Sequence, residues 1–437
     1  MPPAAFNWDI CLQHAALTDV GMRRANNQDA HTVVPADDVA MFYERGHFFM
    51  VADGMGAHAA GELASKLAVE TVPHLYYKHR DMSPPEALRA AIIEANSEVH
   101  RRGQANPEFH DMGTTVCSLV LLPQGALVGH IGDSRAYRLR NHVLEQLTFD
   151  HSLVWELKQM QAEGQLPADS ELVANAQKNV ITRSLGPSAT VKVDIEGPFP
   201  TEVGDTFLLC SDGLSGQLND EELGALLENL PPEQAVRTMV DLANLRGGPD
   251  NITVIVARVT GPQITTAVAG GEPLTVGREK AKSVHPAIWG AAGVLLLVAI
   301  VLTITEHPFI ALGAAICGVL VLLAGLLMQF SDRTREISLG NGRKLGKGPH
   351  THVACPDGSV FAGQLRDAIN QLLTAAEREH WQVDRPKIDQ LLEQADRANG
   401  ERKFPQALRG YSQAITLFMK QIRGQRRKKQ SDSTVDL

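Results

Sequence analysis

The sequence has few cysteines and no excess of positive charge. Its 5 cysteines, among 437 residues, are widely scattered, and none forms a Cys-x-x-Cys pair. Disulfide bonds and a structural zinc site are therefore not expected, and the pattern is typical of a reducing compartment. The 41 Lys and Arg against 50 Asp and Glu give a net charge of −9, which argues against a general nucleic-acid-binding protein.

The N-terminal residues also lack the features of a secretory signal. Residues 1–19 contain neither a basic start nor an uninterrupted apolar stretch, both of which such a signal needs. What the sequence does contain is typical of a folded protein, with 44% hydrophobic and 21% charged residues. Its length allows two or three modules.

Residues 10–260 alternate short apolar runs rich in β-branched and aromatic residues with longer segments of helical period. This alternation predicts an α+β domain. The predicted strands are residues 47–52, 114–122, 126–131, 135–140, 206–210 and 252–259. The predicted helices are residues 59–75, 84–104, 153–163, 220–228 and 232–245.

Two strongly apolar segments follow a linker at residues 261–286. Residues 288–304 and 309–328 contain no charged side chain, and about 20 residues at ~1.5 Å each would span the ~30 Å core of a bilayer. We therefore expect a transmembrane hairpin at 287–328. The alternative is a buried helical hairpin of a soluble protein, which would normally show a polar face.

The basic residues beside these segments predict the orientation of the hairpin. Both flanks are basic and would lie inside, and only the loop with Glu306 and His307 would face outward. The expected location is the cytoplasmic membrane, crossed twice, with the N-terminal domain and the C-terminal tail in the cytoplasm. The flanking residues are Arg278, Lys280 and Lys282 before the hairpin and Arg333, Arg335, Arg343, Lys344 and Lys347 after it.

The tail consists of a second linker, residues 329–362, and a helical segment, residues 363–424. Within it, residues 388–422 resemble one tetratricopeptide-like helical pair, although a plain helical hairpin also fits. A single repeat cannot bury its own apolar face, so we expect it to contact a neighbouring helix, a second copy or a protein partner. Residues 425–437 are basic and polar and predict a disordered terminus, with attraction to anionic membrane lipid as the alternative.

Five aspartates recur in short segments at strand ends, next to Gly, Ser or Asn. Taken singly, each is explained as a turn or helix-cap residue. Their contexts are Asn27-Gln28-Asp29, Ala52-Asp53-Gly54-Met55-Gly56, Gly132-Asp133-Ser134-Arg135, Ser211-Asp212-Gly213 and Pro249-Asp250-Asn251.

Together with Gly21-x-x-Arg24 and Gly113-Thr114-Thr115, these motifs resemble the type 2C metal-dependent serine/threonine protein phosphatase family in its bacterial form. The order of the six motifs matches, and the resemblance covers about residues 10–260. It implies a four-layer α-β-β-α sandwich of two antiparallel sheets with flanking helices. It also implies a metal centre at one end of that sandwich.

The resemblance implies a role for each aspartate. Asp53 would bridge two ions, the Gly54 carbonyl and waters would complete one shell, and Asp212 and Asp250 would hold the pair. Asp29 would ligate directly or through water, and Asp133 would help to hold a third, weaker ion. Two carboxylates ~4 Å apart repel by ~4 kcal/mol at an effective dielectric of about 20, and oxygen-only ligands favour Mn²⁺ or Mg²⁺ over zinc.

The implied reaction is attack on phosphorus by a metal-activated water, without a covalent intermediate. Arg24 matches the arginine that binds the phosphoryl oxygens, and with Asp53 it completes the expected catalytic pair. Gln28 stands where many relatives have Glu. His58 is either a general acid for the leaving group or a histidine outside the reaction, and metal-bound water could supply the proton instead.

These observations predict a membrane-anchored protein-serine/threonine phosphatase that opposes a serine/threonine kinase and acts on phosphorylated proteins. Two alternatives remain. The first is an inactive phosphatase-like platform whose tail recruits partners, and the second is a related phosphatase within a stress-signalling partner switch. The first alternative is disfavoured because degenerate platforms usually lose a metal ligand, whereas all five aspartates are present here.

Overall fold

The computed structural model describes residues 7–57, 59–167, 170–177, 180–276, 286–305, 307–331, 337–339, 343–355 and 358–434. They form two units, Met1–Glu272 with Lys344–Leu437, and Pro273–Arg343. His58 and the basic residues 278, 280, 282, 333 and 335 lie outside the described residues, so the predictions about them stay predictions.

The strands, numbered along the described chain, are short and mostly buried. They are β1 (Leu12–Asp19), β2 (Asp29–Val34), β3 (His47–Met55), β4 (Gly113–Thr114), β5 (Val116–Leu122), β6 (Gly125–Ile131), β7 (Arg135–Arg140), β8 (Val143–Gln146), β9 (Asp194–Phe199), β10 (Thr206–Cys210), β11 (Ile252–Val259), β12 (Leu274–Val276), β13 (Ile337–Leu339) and β14 (Thr351–Ala354).

The helices are numbered in the same way. They are α1 (Val39–Arg45), α2 (Ala60–Lys78), α3 (Pro84–Ala105), α4 (Leu153–Ala162), α5 (Glu171–Ala174), α6 (Asp212–Ser215), α7 (Asp220–Asn229), α8 (Pro232–Leu245), α9 (Thr266–Ala269), α10 (Pro286–Ile304), α11 (Pro308–Ser331), α12 (Ser359–Arg378), α13 (Arg385–Gly400) and α14 (Phe404–Thr434).

Two antiparallel sheets form the larger unit. One has the order β1-β11-β10-β7-β8-β14, and the other has the order β2-β3-β5-β6-β9 with β4 beside β3. The core between them contains Phe49 and Leu119 from one sheet and Phe207 and Ile255 from the other. Alternate residues of β3 point the other way, so that Phe48 contacts Tyr76 of α2, as the two-residue period of a strand requires. The predicted α+β fold of two antiparallel sheets with flanking helices is confirmed.

The tail extends the larger unit. Strand β14 pairs with β8 at the edge of the first sheet, and side chains of α12, α13 and α14 share one apolar core with α7 and α8. Helices α13 and α14 lie where the sequence predicts a helical pair at 388–422, and α12 is the neighbouring helix beside it, so their apolar faces are covered by the chain itself. Helix α14 continues to Thr434, so residues 425–434 are helical where the sequence predicts a disordered terminus.

The smaller unit contains the segments that the sequence assigns to a membrane hairpin. Helices α10 and α11 pack against each other, and β12 pairs with β13. A bilayer crossing needs a helix that stays apolar over about 20 residues, and among the described residues we find no helix that combines sufficient length with sufficient apolar character. The hairpin predicted at 287–328 is therefore not supported, and the predicted location in the cytoplasmic membrane is corrected.

Candidate metal centre

Strand ends bring the five aspartates together. Asp29 begins β2 and lies opposite Asp53 of β3 in the antiparallel pair. Asp133 lies between β6 and β7, Asp212 begins α6 directly after β10, and Asp250 lies two residues before β11. Neighbouring antiparallel strands place the end of one beside the start of the next, so all five positions fall at one end of the two sheets.

Hydrogen bonds hold two of these residues, Asp29 and Asp53, in place. The Ser211 hydroxyl donates to Asp29 Oδ2 at 2.7 Å, and the Asp53 amide donates to Thr115 Oγ1 at 2.9 Å. Thr115 is in turn 2.7 Å from the Ser134 hydroxyl. The sequence motifs contain these three hydroxyl residues, but their spacing along the chain gives no sign of which aspartate each contacts.

The carboxylates of this cluster are difficult to ionise together. Burial, followed by the charges of Asp212 and Asp250, raises the pKa of Asp29 to about 7. Burial and four neighbouring carboxylates raise the pKa of Asp53 well above its ordinary value, and burial together with Asp212 raises the pKa of Asp133 to about 7. A positive charge placed among them would remove this penalty.

The donor set fits a hard divalent cation. One buried carboxylate oxygen in each of Asp29, Asp133 and Asp212 has no hydrogen-bond partner, and unsatisfied carboxylate oxygens are the ligands that Mg²⁺ and Mn²⁺ prefer. In the described part of the chain, however, no three His, Cys, Asp or Glu side chains form a group that could hold an ion as they stand. The roles of these residues as metal ligands therefore stay predictions.

Gly54 is a point of close approach between β3 and its neighbours. Its amide donates to the Gln28 carbonyl at 3.1 Å, and a Cβ atom at this position would stand 2.1 Å from the Gly61 carbonyl oxygen. No side chain fits there, which explains why glycine follows Asp53. Its predicted role as a carbonyl ligand stays a prediction.

Arg24 contacts the cluster directly. Its Nη2 atom is 2.8 Å from Asp250 Oδ2, and its side chain is about half exposed, at 48%. The guanidinium therefore lies at the edge of the carboxylate cluster, where a phosphoryl group could reach it. The structure places the predicted phosphate-binding residue beside a predicted metal ligand.

Asn251 organises the loop that carries Arg24, a role that the sequence did not reveal. Its Oδ1 accepts from the Gln28 amide at 2.8 Å. Its Nδ2 donates to the carbonyls of Val20 and Asn26 at 2.9 and 3.0 Å. Its position next to Asp250 was the only available signal.

A cleft of about 520 Å³ opens over these residues. Asp133, Asp212, Asp250 and Arg24 line it, and Trp155 and Lys158 of α4 form another part of its wall. Two further lining residues, Arg135 and Asp150, form a bidentate ion pair at 2.7 Å.

Comparison with known proteins gives the family of this chain. The Protein phosphatase 2C family model matches residues 22–245. The serine/threonine protein phosphatase PstP of Mycobacterium tuberculosis is 33% identical over 275 residues, which cover 60% of this chain and 49% of PstP. The serine/threonine phosphatase stp of Listeria monocytogenes is 34% identical over 243 residues, 54% of this chain and 92% of that protein.

A solved structure of the PstP catalytic domain is a complex with two manganese ions. It is 32% identical to this chain, with a TM-score of 0.46, and the match covers 57% of this chain and 99% of the solved one. For this chain the sequence predicts two ions of Mn²⁺ or Mg²⁺ and a weaker third ion.

This chain belongs to the protein phosphatase 2C family. The resemblance drawn from the six motifs is confirmed, and the relatives are serine/threonine phosphatases. The matched region spans about half the length of the mycobacterial relative.

Proposed function

We propose that this protein hydrolyses phosphoserine and phosphothreonine in proteins with the help of Mn²⁺ or Mg²⁺. The observation that carries the proposal is the set of five aspartates at one end of the sandwich, under a cleft bordered by Arg24. In the inactive-platform alternative there is no reason to retain a buried cluster whose carboxylates raise one another's pKa values.

Each acidic residue would hold an ion through its unsatisfied oxygens. Asp53 would bridge two ions, Asp212 and Asp250 would hold that pair, Asp29 would ligate directly or through water, and Asp133 would contribute to a weaker third position. When bound, two such ions supply an activated water as the nucleophile. Binding would draw the carboxylates together, because attraction to the ions replaces their mutual repulsion.

Arg24 would orient the phosphoryl group. A planar guanidinium can donate to two phosphoryl oxygens at once, and its half-exposed position lets it turn from Asp250 towards a bound substrate. Once ions neutralise Asp250, the guanidinium would lose its present partner and be free to bind phosphate.

The substrates would be phosphorylated proteins, and the enzyme would oppose a serine/threonine kinase. Both follow from the class of enzyme. The catalytic domain already packs against the apolar faces of the tail helices. The recruitment of another protein by the tail stays a prediction.

The test is Mn²⁺-dependent hydrolysis of a phosphothreonine peptide by the full chain and by its Asp53→Asn variant. We expect chelation to abolish turnover reversibly and Asp53→Asn to lower kcat by about 10³-fold or more, which corresponds to ~4 kcal/mol of transition-state stabilisation. Asp37→Asn, at an exposed position away from the cluster, is the matched control. Calorimetric titration with Mn²⁺ gives a second readout.

Two results would contradict the proposal. One is near wild-type turnover by Asp53→Asn. The other is a wild-type protein that binds Mn²⁺ but hydrolyses neither phosphopeptides nor para-nitrophenyl phosphate, which would favour the platform alternative.

A further inference from the structure

A second cleft, of about 870 Å³, lies beside the first. Trp155 and Lys158 of α4 line both clefts, so the two are neighbours across a single helix. Six basic side chains line the second cleft: Arg89, Lys158, Arg183, Lys192, Lys347 and His350.

The acidic residues of the second cleft are already engaged. Asp194 accepts from His151 Nε2 at 2.8 Å and lies 3.2 Å from Arg183, and Glu196 accepts from the Gly348 amide at 2.8 Å. Within the described chain, Lys158, Lys192 and Lys347 have no carboxylate at ion-pair distance, and all three are exposed. The cleft therefore presents unpaired positive charge, although the whole chain is acidic.

Aromatic and aliphatic side chains give this cleft an apolar part. Phe149 meets Trp155 edge to face at 5.2 Å between ring centres, and it meets His350 at 5.6 Å. Ile195 also lines the cleft. A surface that combines apolar rings with unpaired lysines suits a peptide that carries acidic side chains, whose backbone and methylene groups contact the rings.

The tail supplies one wall of the cleft, at residues 346–351. Leu345 and Gly197 exchange two backbone hydrogen bonds, and β14 begins at Thr351 and pairs with β8. Lys347 therefore lies between two backbone pairings, one with β9 at Leu345 and one with β8 that begins at Thr351. The wall lies outside residues 22–245, the part of the chain that the family model matches.

We infer that the second cleft binds an acidic stretch of the phosphoprotein whose phosphorylated residue occupies the first cleft. The inference rests on the proposed phosphatase function and adds a preference for acidic residues close to the phosphorylated Ser or Thr. Lys192 and Lys347 would attract the acidic stretch, since unpaired charges of one sign on a cleft wall raise the local concentration of a ligand of opposite charge.

The test uses the full chain with Mn²⁺ and matched phosphothreonine peptides. One peptide has three Glu residues before the phosphothreonine, a second has them after it, and each is paired with a peptide that has Gln at the same positions. Para-nitrophenyl phosphate serves as a substrate too small to reach the second cleft. We expect at least one Glu peptide to exceed its Gln partner by about five-fold or more in kcat/KM, mainly through a lower KM.

The variants are Lys347→Glu and Lys192→Glu, with Lys66→Glu on α2 as an exposed control. Both cleft variants should remove or reverse the preference while turnover of para-nitrophenyl phosphate stays within two-fold of wild type. Lys347→Gln should reduce the preference less than Lys347→Glu does. Thermal unfolding of each variant checks that it is folded.

Several outcomes would overturn the inference. One is an equal kcat/KM of the wild type for the Glu and Gln peptides. Another is a preference for the Glu peptides that Lys347→Glu and Lys192→Glu leave unchanged. Inhibition of the wild type by inorganic phosphate gives another check. If the two variants weaken this inhibition as much as they weaken peptide binding, the cleft is a general anion site instead. A wild type that does not hydrolyse para-nitrophenyl phosphate would contradict the proposed function itself. This result distinguishes failure of the proposed function from failure of the inference about the second cleft.

Discussion

Arg423, in the last helix, donates to Asp19 Oδ2 at 2.8 Å across 404 positions of the chain. The other oxygen of Asp19 accepts from the Gly21 amide at 3.0 Å and from Asn244 Nδ2 at 3.1 Å. Gly21 has a φ of 80°, and a Cβ atom there would stand 2.1 Å from the Asp250 carbonyl oxygen. The tail is thus tied to the turn that packs against the predicted metal ligand Asp250.

Replacing Arg423 should loosen this attachment. Its Nη2 atom also lies 3.4 Å from Asp241, whose side chain is only 3% exposed, so Arg423→Ala removes the ion-pair partner of a buried carboxylate. Removing one partner of a fully buried pair costs ~3–5 kcal/mol, and since the Arg423 side chain is 26% exposed we expect about 1–3 kcal/mol. Urea unfolding measures this, with the exposed neighbour variant Lys420→Ala as control. Equal free energies of unfolding for the two variants would contradict the prediction.

Asp241 should make stability depend on pH. Burial raises its pKa to about 6, against the opposing charge of Arg423. A carboxyl whose pKa is raised on folding adds stability when it is protonated, and that stability is lost as the pH rises through the folded value. Asp241→Asn should therefore gain stability relative to wild type between about pH 4 and pH 7. Unfolding curves at pH 4.5 and 7.5 measure the difference in free energy of unfolding between the variant and the wild type. A difference that does not increase with pH would refute the prediction.

Ser211 should support metal binding through Asp29. Its hydroxyl donates to Asp29 Oδ2 and accepts from the Thr253 amide at 3.0 Å, so Ser211→Ala frees the carboxylate to move. Loss of such a supporting contact typically costs about 10–100-fold in metal affinity, and we expect the Mn²⁺ concentration for half-maximal activity to rise by about ten-fold. Ser97→Ala, an exposed serine bonded only within its own helix, is the control. An unchanged Mn²⁺ requirement would argue against a role for Asp29 in ligation.

The substitution Gly224→Ala tests the packing of the tail on α7. A Cβ atom at this position would stand 2.0 Å from Cys355 Sγ and 3.1 Å from its Cβ. Overpacking of this kind costs about 1–3 kcal/mol, so Gly224→Ala should lower the free energy of unfolding although alanine favours helices. Adding Cys355→Ala should recover part of the loss, which a double-mutant cycle measures.

The control for this packing test is Gly363→Ala in α12, where a Cβ atom would meet nothing within 4 Å. It should be neutral or stabilising by up to ~1 kcal/mol. If Gly224→Ala behaves in the same way, the tail does not pack on α7 as described.

The sequence predicted the elements whose local signal is strong. The helix predicted at 232–245 coincides with α8, and the strands predicted at 135–140, 206–210 and 252–259 coincide with β7, β10 and β11. Two strands that it missed, β1 and β2, have mostly partly exposed residues. Such strands lack a clear apolar period and are stabilised by their partners, β11 and β3.

The prediction of a transmembrane hairpin at 287–328 was based on composition and is not supported. A run of apolar residues shows that a segment avoids water, but it does not by itself specify what covers that segment. In the described residues, these segments form the packed pair α10 and α11 without a helix suited to crossing a bilayer.

By itself, the sequence determined the class of fold. It also singled out the five aspartates, because each lies at a strand end in a motif whose residues are local to one turn. Only the tertiary structure decided which groups meet across long separations. These include Arg24 with Asp250, Ser211 with Asp29, and Arg423 with Asp19. The physical reason is that hydrophobic period and turn chemistry act over a few neighbouring residues, whereas the pairing of distant side chains depends on how the sheets and tail helices pack in three dimensions.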